Sequence, residues 1–273
     1  MNEVLHTLGL KFDWGFTLTL GSLILTRLTM ITSTIPCLVG KPVPGFIRIG
    51  LTMVLMVFLY PYLKPDDLSL IPHSPAFLFL LYAKEAVYGI AIGFASSIVF
   101  HAFQAAGDII DNQRGSAQAR LLIPQLGEQV SVFGAFNYML GIVVFLSLNG
   151  HIPFLRAMME SYSLLPLLEM PTAKLDLLAM TDEFIRTTGS ILLIALQLTA
   201  PIIIAIFLVD VVLGIMSKAA PSINIWEMSF AFRGVIGVVV FYLSIAFVIP
   251  QMGKISLGMV DTLTRLFGFL SPH

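Results

Sequence analysis

Charge is what this sequence has least of. Only 11% of its 273 residues are Asp, Glu, Lys or Arg, against 57% hydrophobic. Soluble domains carry about 25% charged residues, and a chain with less than half that share cannot cover a water-facing surface. It must face lipid or other apolar subunits. The net charge of −1 points to no nucleic acid or acidic partner. Cysteine is nearly absent: Cys37 stands alone, which excludes an internal disulfide and a paired-cysteine metal site. His6, His73, His101, His151 and His273 are scattered without metal-ligand spacing. The sequence has no glycine-rich phosphate loop, nucleophile elbow or zincin motif. An ATPase or protease role has nothing to rest on, and no enzyme activity, metal or cofactor is expected. Residues 1–15 carry Glu3 and Asp13 and lack a basic start, so a cleavable leader is not expected.

What the chain has instead is six apolar segments, at about 16–38, 47–63, 76–106, 130–149, 190–216 and 230–249. Each is long enough, or nearly so, to cross about 30 Å of hydrocarbon as a helix. None alternates with period two, which argues against a transmembrane barrel. Pro36, Pro42 and Pro44 break the first connection, and Pro61, Pro65, Pro72 and Pro75 the second. No repeat, low-complexity tract or linker divides the chain. The expected architecture is all-α: hydrophobic helices and helical hairpins of one integral membrane domain over residues 1–273. The segment at 76–106 exceeds what a membrane needs, so it tilts, folds back as a hairpin or projects beyond the bilayer. In the connection at 150–189, Ile152, Leu155, Met159 and Tyr162 fall near helical spacing. Leu175, Leu178 and Ile185 form a second apolar stripe, with Asp176, Asp182 and Glu183 facing elsewhere. Lys and Arg fall almost evenly on the two sides of six spans, whereas an ordinary inner-membrane protein shows more bias.

Four ionisable residues sit in apolar surroundings: Arg27, the adjacent Lys84 and Glu85, and Asp210. A charge at the bilayer centre costs about 2.5–3.5 kcal/mol on insertion scales, so these groups face protein or water. They serve an ion path or, in the favoured reading, ion pairs that fix subunit packing. Neighbours on a helix point in different directions, so Lys84 and Glu85 are expected to serve different partners. Gly89 and Gly93, with Ser97 at the same spacing, form a small-residue face for close helix approach. Pro201 removes a backbone hydrogen bond from the fifth segment and is expected to kink it.

One polar stretch interrupts the oil, from Gly107 to Gln129. It holds Asp108, Asp111, Gln113, Arg114, Arg120 and Glu128, with Leu121, Leu122 and Ile123 following. Gly107, Gly115 and Gly127 let the backbone bend. From the residues alone it reads as a solvated connector or as a gate.

Three stretches in series carry a resemblance. The first is Arg27, Pro36, Val43-Pro44 and Arg48; the second is Lys84-Glu85, Gly89 and Gly93, leading to Ala106-Gly107 and Asp111-Asn-Gln-Arg-Gly115. The third is Ala200-Pro201, Asp210, Leu213-Gly214 and Lys218-Ala-Ala-Pro221-Ser-Ile-Asn224. Together, over roughly residues 20–225, they resemble the FliR/SctT family of export-apparatus subunits from flagella and type III secretion systems. The Asp-Asn-Gln-Arg-Gly loop and Gly127-Glu-Gln129 look more like the virulence-type SctT branch. The resemblance implies a non-enzymatic subunit that joins several copies of two small hydrophobic proteins, SctR-like and SctS-like, in a helical funnel. An SctU-like switch protein docks at its base. Unfolded secreted polypeptides pass through the funnel from the cytoplasm, and much of it projects above the bacterial inner membrane. The resemblance also makes the loop a pore plug, with Gly107, Asp111, Gln113, Arg114, Gly115, Arg120, Leu122 and Ile123 as its residues. Arg27, Glu85, Gly89, Gly93, Pro201, Asp210 and Lys218 are then subunit-packing residues. The rival is a stand-alone secondary transporter or channel using Asp210 and Arg27.

Overall fold

A computed structural model describes residues 14–36, 44–63, 74–115, 131–170, 177–220, 222 and 224–270. Those residues form helices and turns and no strand, as an all-α membrane protein should. In chain order the helices are α1 (Trp14–Thr34), α2 (Gly45–Leu63), α3 (Pro75–Gln113), α4 (Val132–Ser147), α5 (His151–Leu164), α6 (Leu177–Ala219) and α7 (Ile225–Leu270). Five of them, α1, α2, α3, α6 and α7, are long and apolar enough to cross a membrane. The pair α4 and α5 passes the same test only together, as a span broken between Ser147 and His151. The break holds Asn149, whose φ of 56° lies in the left-handed region.

Three helices outrun their apolar segments. α3 has 39 residues, α6 has 43 and α7 has 46. At 1.5 Å per residue α7 is roughly 70 Å long, over twice the hydrocarbon thickness. The segments expected at 190–216 and 230–249 were too short because Asp182, Glu183 and Arg186, and later Lys254, Asp261 and Arg265, looked like their ends. The helices run on through these residues. α3 is unbroken, so the hairpin alternative for residues 76–106 fails. It also runs past Gly107 to Gln113, so the polar loop starts seven residues later than expected. α6 and α7 stay helical through Pro201 and Pro250.

The chain contacts cluster into two compact units. One comprises residues 1–97, 151–182 and 260–273, the other residues 98–150 and 183–259. In the first, α1 buries Leu20, Leu23, Ile24, Leu28 and Ile31 at helical spacing, with Arg27 in the same stripe. The early part of α3 buries Leu81, Tyr88 and Ile92 on one face, with Glu85 among them. α5 adds Phe154, Ala157, Met158, Ser161 and Tyr162. The helical spacing expected from Ile152 to Tyr162 is present, within His151–Leu164. Ile152 and Met159 are exposed, while Tyr162 joins the face buried within the chain, which also holds small and polar residues. Contacts pair Ser22 with Tyr82, Arg27 with Glu85, and Thr34 with Gly93, rising together along both helices, so α1 and α3 run parallel. α2 returns antiparallel, with Met56 against Gly21 and Tyr60 bonded to Thr17. Only 11% of the apolar window of α2 is buried, against 72% for α3, so α2 is a surface helix whose outer face is apolar.

In the second unit, Phe100 packs edge-on to Phe103 and Phe145, at centroid distances of 6.3 and 5.6 Å. Ile110, Ile202, Ile206 and Phe241 form a further buried cluster. Phe133 meets Phe241 edge-to-face at 4.7 Å. Gly107 lies against the backbone of Phe133 and Gly134, where any Cβ would collide with main chain. It is a helix-crossing glycine, not a loop hinge.

The small-residue face of α3 is used within the chain. A Cβ at Gly89 would stand 2.6 Å from Met30 Cβ and 2.7 Å from the Arg27 carbonyl, while Gly50 has nothing within 4 Å. Gly89→Ala is therefore expected to destabilise by about 1–3 kcal/mol through overpacking. Gly50→Ala is expected to stabilise by about 0.5–1 kcal/mol through helix propensity. Thermal unfolding of the detergent-purified chain checks both, and equal shifts would contradict the packing described.

Candidate functional site

Two polar constructions stand out, one in each unit. The first is buried. Arg27 and Glu85 are both fully shielded from solvent, and Arg27 Nε donates to Glu85 Oε2 at 2.5 Å. The rest of the guanidinium is spent on backbone. Nη1 donates to the Ser161 carbonyl at 3.0 Å and Nη2 to the Leu165 carbonyl at 2.8 Å. The Tyr162 ring lies 4.3 Å from the guanidinium carbon and adds a cation–π contact. Lys84 Nζ donates to the carbonyls of Pro166, Leu167 and Glu169 at 2.7, 3.0 and 2.8 Å. It also meets Glu85 Oε1 as an ion pair at 3.1 Å, without the alignment of a hydrogen bond.

Planar, five-donor arginine suits this place, because its fork reaches a carboxylate and two carbonyls at once. The lysine and arginine together bind five carbonyls at and beyond the end of α5, where the helix leaves acceptors unpaired. Cations at a helix C-terminus also match its dipole. The sequence expectation that Lys84 and Glu85 serve different partners holds only for the carbonyls, since the two side chains also pair with each other. Arg27, Glu85, Gly89 and Gly93 all spend themselves on contacts within this chain.

The second construction closes the stem of the polar loop. α3 ends at Gln113; the Arg114 amide bonds the Ile110 carbonyl, the Gly115 amide the Asn112 carbonyl, and Gly115 takes φ 90°, open to glycine at little cost. Asp111, one turn back, reaches across to the start of α4. Its Oδ2 accepts from Ser131 Oγ at 2.7 Å and from the Phe133 amide at 3.0 Å. Ser131 is the N-cap of α4 and accepts from the Gly134 amide at 2.8 Å. A carboxylate at a helix N-terminus is favoured by the exposed amides and the dipole. Arg114 Nη1 stands 3.4 Å from Asp111 Oδ1, and its guanidinium lies 4.7 Å from the Phe133 ring centre. The Arg114 stem rests on Gly237, where a Cβ would meet it at 2.7 Å. Arg114 Nε is buried with no partner among the described residues.

Of the residues expected in the plug, Asp111 and Arg114 thus form the stem, Gly115 ends α3, Gln113 is exposed on its last turn, and Gly107 packs against α4. Arg120, Leu122 and Ile123 lie outside the described residues. Asp210 pairs with Arg233 across the α6–α7 hairpin at 2.7 Å. Lys218 is exposed in the last turn of α6. Ser131, Phe133, Ser161, Arg233 and Gly237 were missed by sequence reasoning. Ser131, just before an apolar run, carries a readable N-cap signal, and Arg233 is a cation just past the Lys218–Asn224 turn. Ser161 and Gly237 carry none. Among the described residues no group of three or more His, Cys, Asp or Glu is placed to hold a metal ion.

Comparison with known proteins bears on what this arrangement serves. A sequence profile described as "Bacterial export proteins, family 1" matches residues 18–259. The chain is 30% identical to Yop proteins translocation protein T of Yersinia pestis over 256 residues, covering 91% of this chain and 94% of that protein. It is 26% identical to flagellar biosynthetic protein FliR of Bacillus subtilis over 251 residues, with coverage of 91% and 94%. It is 27% identical to surface presentation of antigens protein SpaR of Shigella flexneri, over 70% of this chain and 72% of that one. A helical membrane protein matched over nearly its whole length in this way belongs to bacterial export protein family 1, the FliR/SctT family.

Two outcomes follow from the geometry. Arg27→Leu strands a buried carboxylate and is expected to destabilise by about 3–5 kcal/mol, whereas Arg27→Leu with Glu85→Leu costs less than the sum of the single changes. A double-mutant cycle in detergent unfolding measures this. Asp111→Ala removes the stem hydrogen bonds that its carboxylate accepts from Ser131, from Arg114 and from the Phe133 amide. At about 1–1.5 kcal/mol, hydrogen exchange at the Phe133 amide should quicken about five- to tenfold, with Ile202 and Ile206 amides unchanged.

Proposed function

We propose that this chain is a core subunit of the export gate of a type III protein secretion system, in the bacterial inner membrane. It helps form the pore through which unfolded substrates leave the cytoplasm. The observation that carries this reading is the family match over residues 18–259. The identity to a Yop translocation protein, 30% over 256 residues, exceeds that to the FliR proteins of Bacillus subtilis and Escherichia coli, 26% over 251 and 28% over 214, which supports the secretion branch. The surface supports a hetero-oligomer. Only 28% of the apolar window of α6 and 22% of that of α7 is buried, leaving Ile204, Phe207, Val235 and Tyr242 outward. Helices far longer than the hydrocarbon is thick need protein or water, not lipid alone, along part of that surface. The partners are several copies of two small hydrophobic subunits, SctR-like and SctS-like, and an SctU-like switch protein.

Within the gate, the loop from Gly115 to Ser131 acts as plug. A plug must close a wide pore to ions and still yield to a polypeptide. The stem that holds it rests on polar contacts, each worth about 0.5–1.5 kcal/mol net, which a passing chain can displace. Leu121, Leu122 and Ile123 supply the apolar constriction that closes the lumen by dewetting. A stand-alone transporter working through Arg27 and Asp210 finds less support, because Arg27 is fully buried and both side chains are engaged in ion pairs.

Co-expression with the neighbouring genes and native mass spectrometry test the assembly. A complex with one copy of this chain among several copies of two smaller hydrophobic proteins is expected; a lone monomer would sink the reading. Shortening the loop within residues 116–125 should leave that assembly intact and raise its ion conductance in planar bilayers. Unchanged conductance would remove the plug and keep the gate.

A further inference from the structure

The last turns of α4 and the stretch of α7 around Pro250 enclose a groove of about 530 Å3. Leu140, Val144 and Leu148 form one wall, and Ile249 and Leu257 the other, so the lining is overwhelmingly carbon. Lys254 is the one charged residue among the described residues that line it. It is exposed, stands in a helix apolar enough to cross a membrane, and takes part in none of the ion pairs formed among the described residues. Close packing fixes this wall: a Cβ at Gly253 would stand 2.8 Å from Leu148.

The dimensions and the charge select an occupant. The walls run from Leu140 to Leu148 and from Ile249 to Leu257, which at helix rise is about 12 Å. One leaflet of a bilayer core is about 15 Å deep. The volume falls among ordinary small-molecule sites, about 300–1,000 Å3. A lysine beside hydrocarbon must reach water or an anion, and its flexible stem lets the ammonium travel to either. An apolar side chain from another subunit would fill the groove and leave the ammonium without a counter-charge. An anionic phospholipid satisfies both ends. We propose that this groove seats one acyl chain of an anionic phospholipid whose phosphate is held by Lys254. The site needs only a bilayer and stands apart from the export reading.

The full chain, purified in mild detergent with whatever subunits accompany it, is equilibrated with phosphatidylglycerol or phosphatidylcholine, and retained lipid is counted by native mass spectrometry. Phosphatidylglycerol should be retained at least tenfold better. Lys254→Gln should abolish that preference while some lipid of both kinds remains. Ser147→Phe, or Val143→Phe should the first fail to fold, fills the groove and should remove both lipids. Equal retention of the two lipids by the unaltered protein would overturn the proposal. So would unchanged retention in the groove-filling variants, or photo-crosslinks from Val143 to another protein in place of lipid.

Discussion

A guanidinium sealed away from water has to be answered on every donor, and the first unit is arranged around answering Arg27. Burying a charge unpaired costs several kcal/mol even after relaxation. Glu85 supplies the counter-charge, but one carboxylate cannot satisfy five N–H groups. The remaining donors draw in the carbonyls of Ser161 and Leu165, which dictates where α5 ends and how the chain leaves it. Lys84 continues the same task over Pro166, Leu167 and Glu169. The parallel α1–α3 pairing and the Gly89 and Gly93 contacts bring the carboxylate within reach. Ion pairs of this kind fix register more than they add stability.

The second unit solves a different problem, that of bringing the two ends of a polar stretch together. Asp111 and Ser131 sit twenty residues apart, and joining them closes the loop at its base. Loop-closure entropy grows only slowly with length, so a few hydrogen bonds at the stem suffice and the loop sequence stays free for another task. Asp111 does double duty, since it also answers the Phe133 amide in the first turn of α4. Arg114, lying on Phe133 and fitted against Gly237, links that stem to the aromatic cluster of Phe133, Phe136 and Phe241.

Much of this was legible in the sequence, and the reasons are specific. Apolar runs set apart by proline-bearing connections located the helices, although Pro61, read as part of such a break, lies inside α2. Gly89 and Gly93 announced a close helix contact by their spacing. Arg27, Glu85 and Asp210 announced themselves by cost. Their partners were hidden: Glu85 lies fifty-eight residues from Arg27 and Ser161 a hundred and thirty-four, and no local pattern joins them. The face of α5 that is buried within the chain left little trace, because Ala157 and Ser161 carry little hydrophobic signal. The ends of α6 and α7 were misread because charged residues on an amphipathic extension resemble the end of a span.

The separation of Arg27 from its partners also sets an order of events during synthesis. Chains grow at about 5–20 residues per second. Glu85 is therefore made about 3–12 s after Arg27, and Ser161 about 7–27 s after it, given separations of 58 and 134 residues. For that interval α1 carries an unanswered cation that hydrocarbon disfavours. The newborn segment must wait beside the insertion machinery or at the headgroup level until α3 arrives. α1 is then seated only after partners made well behind it have arrived.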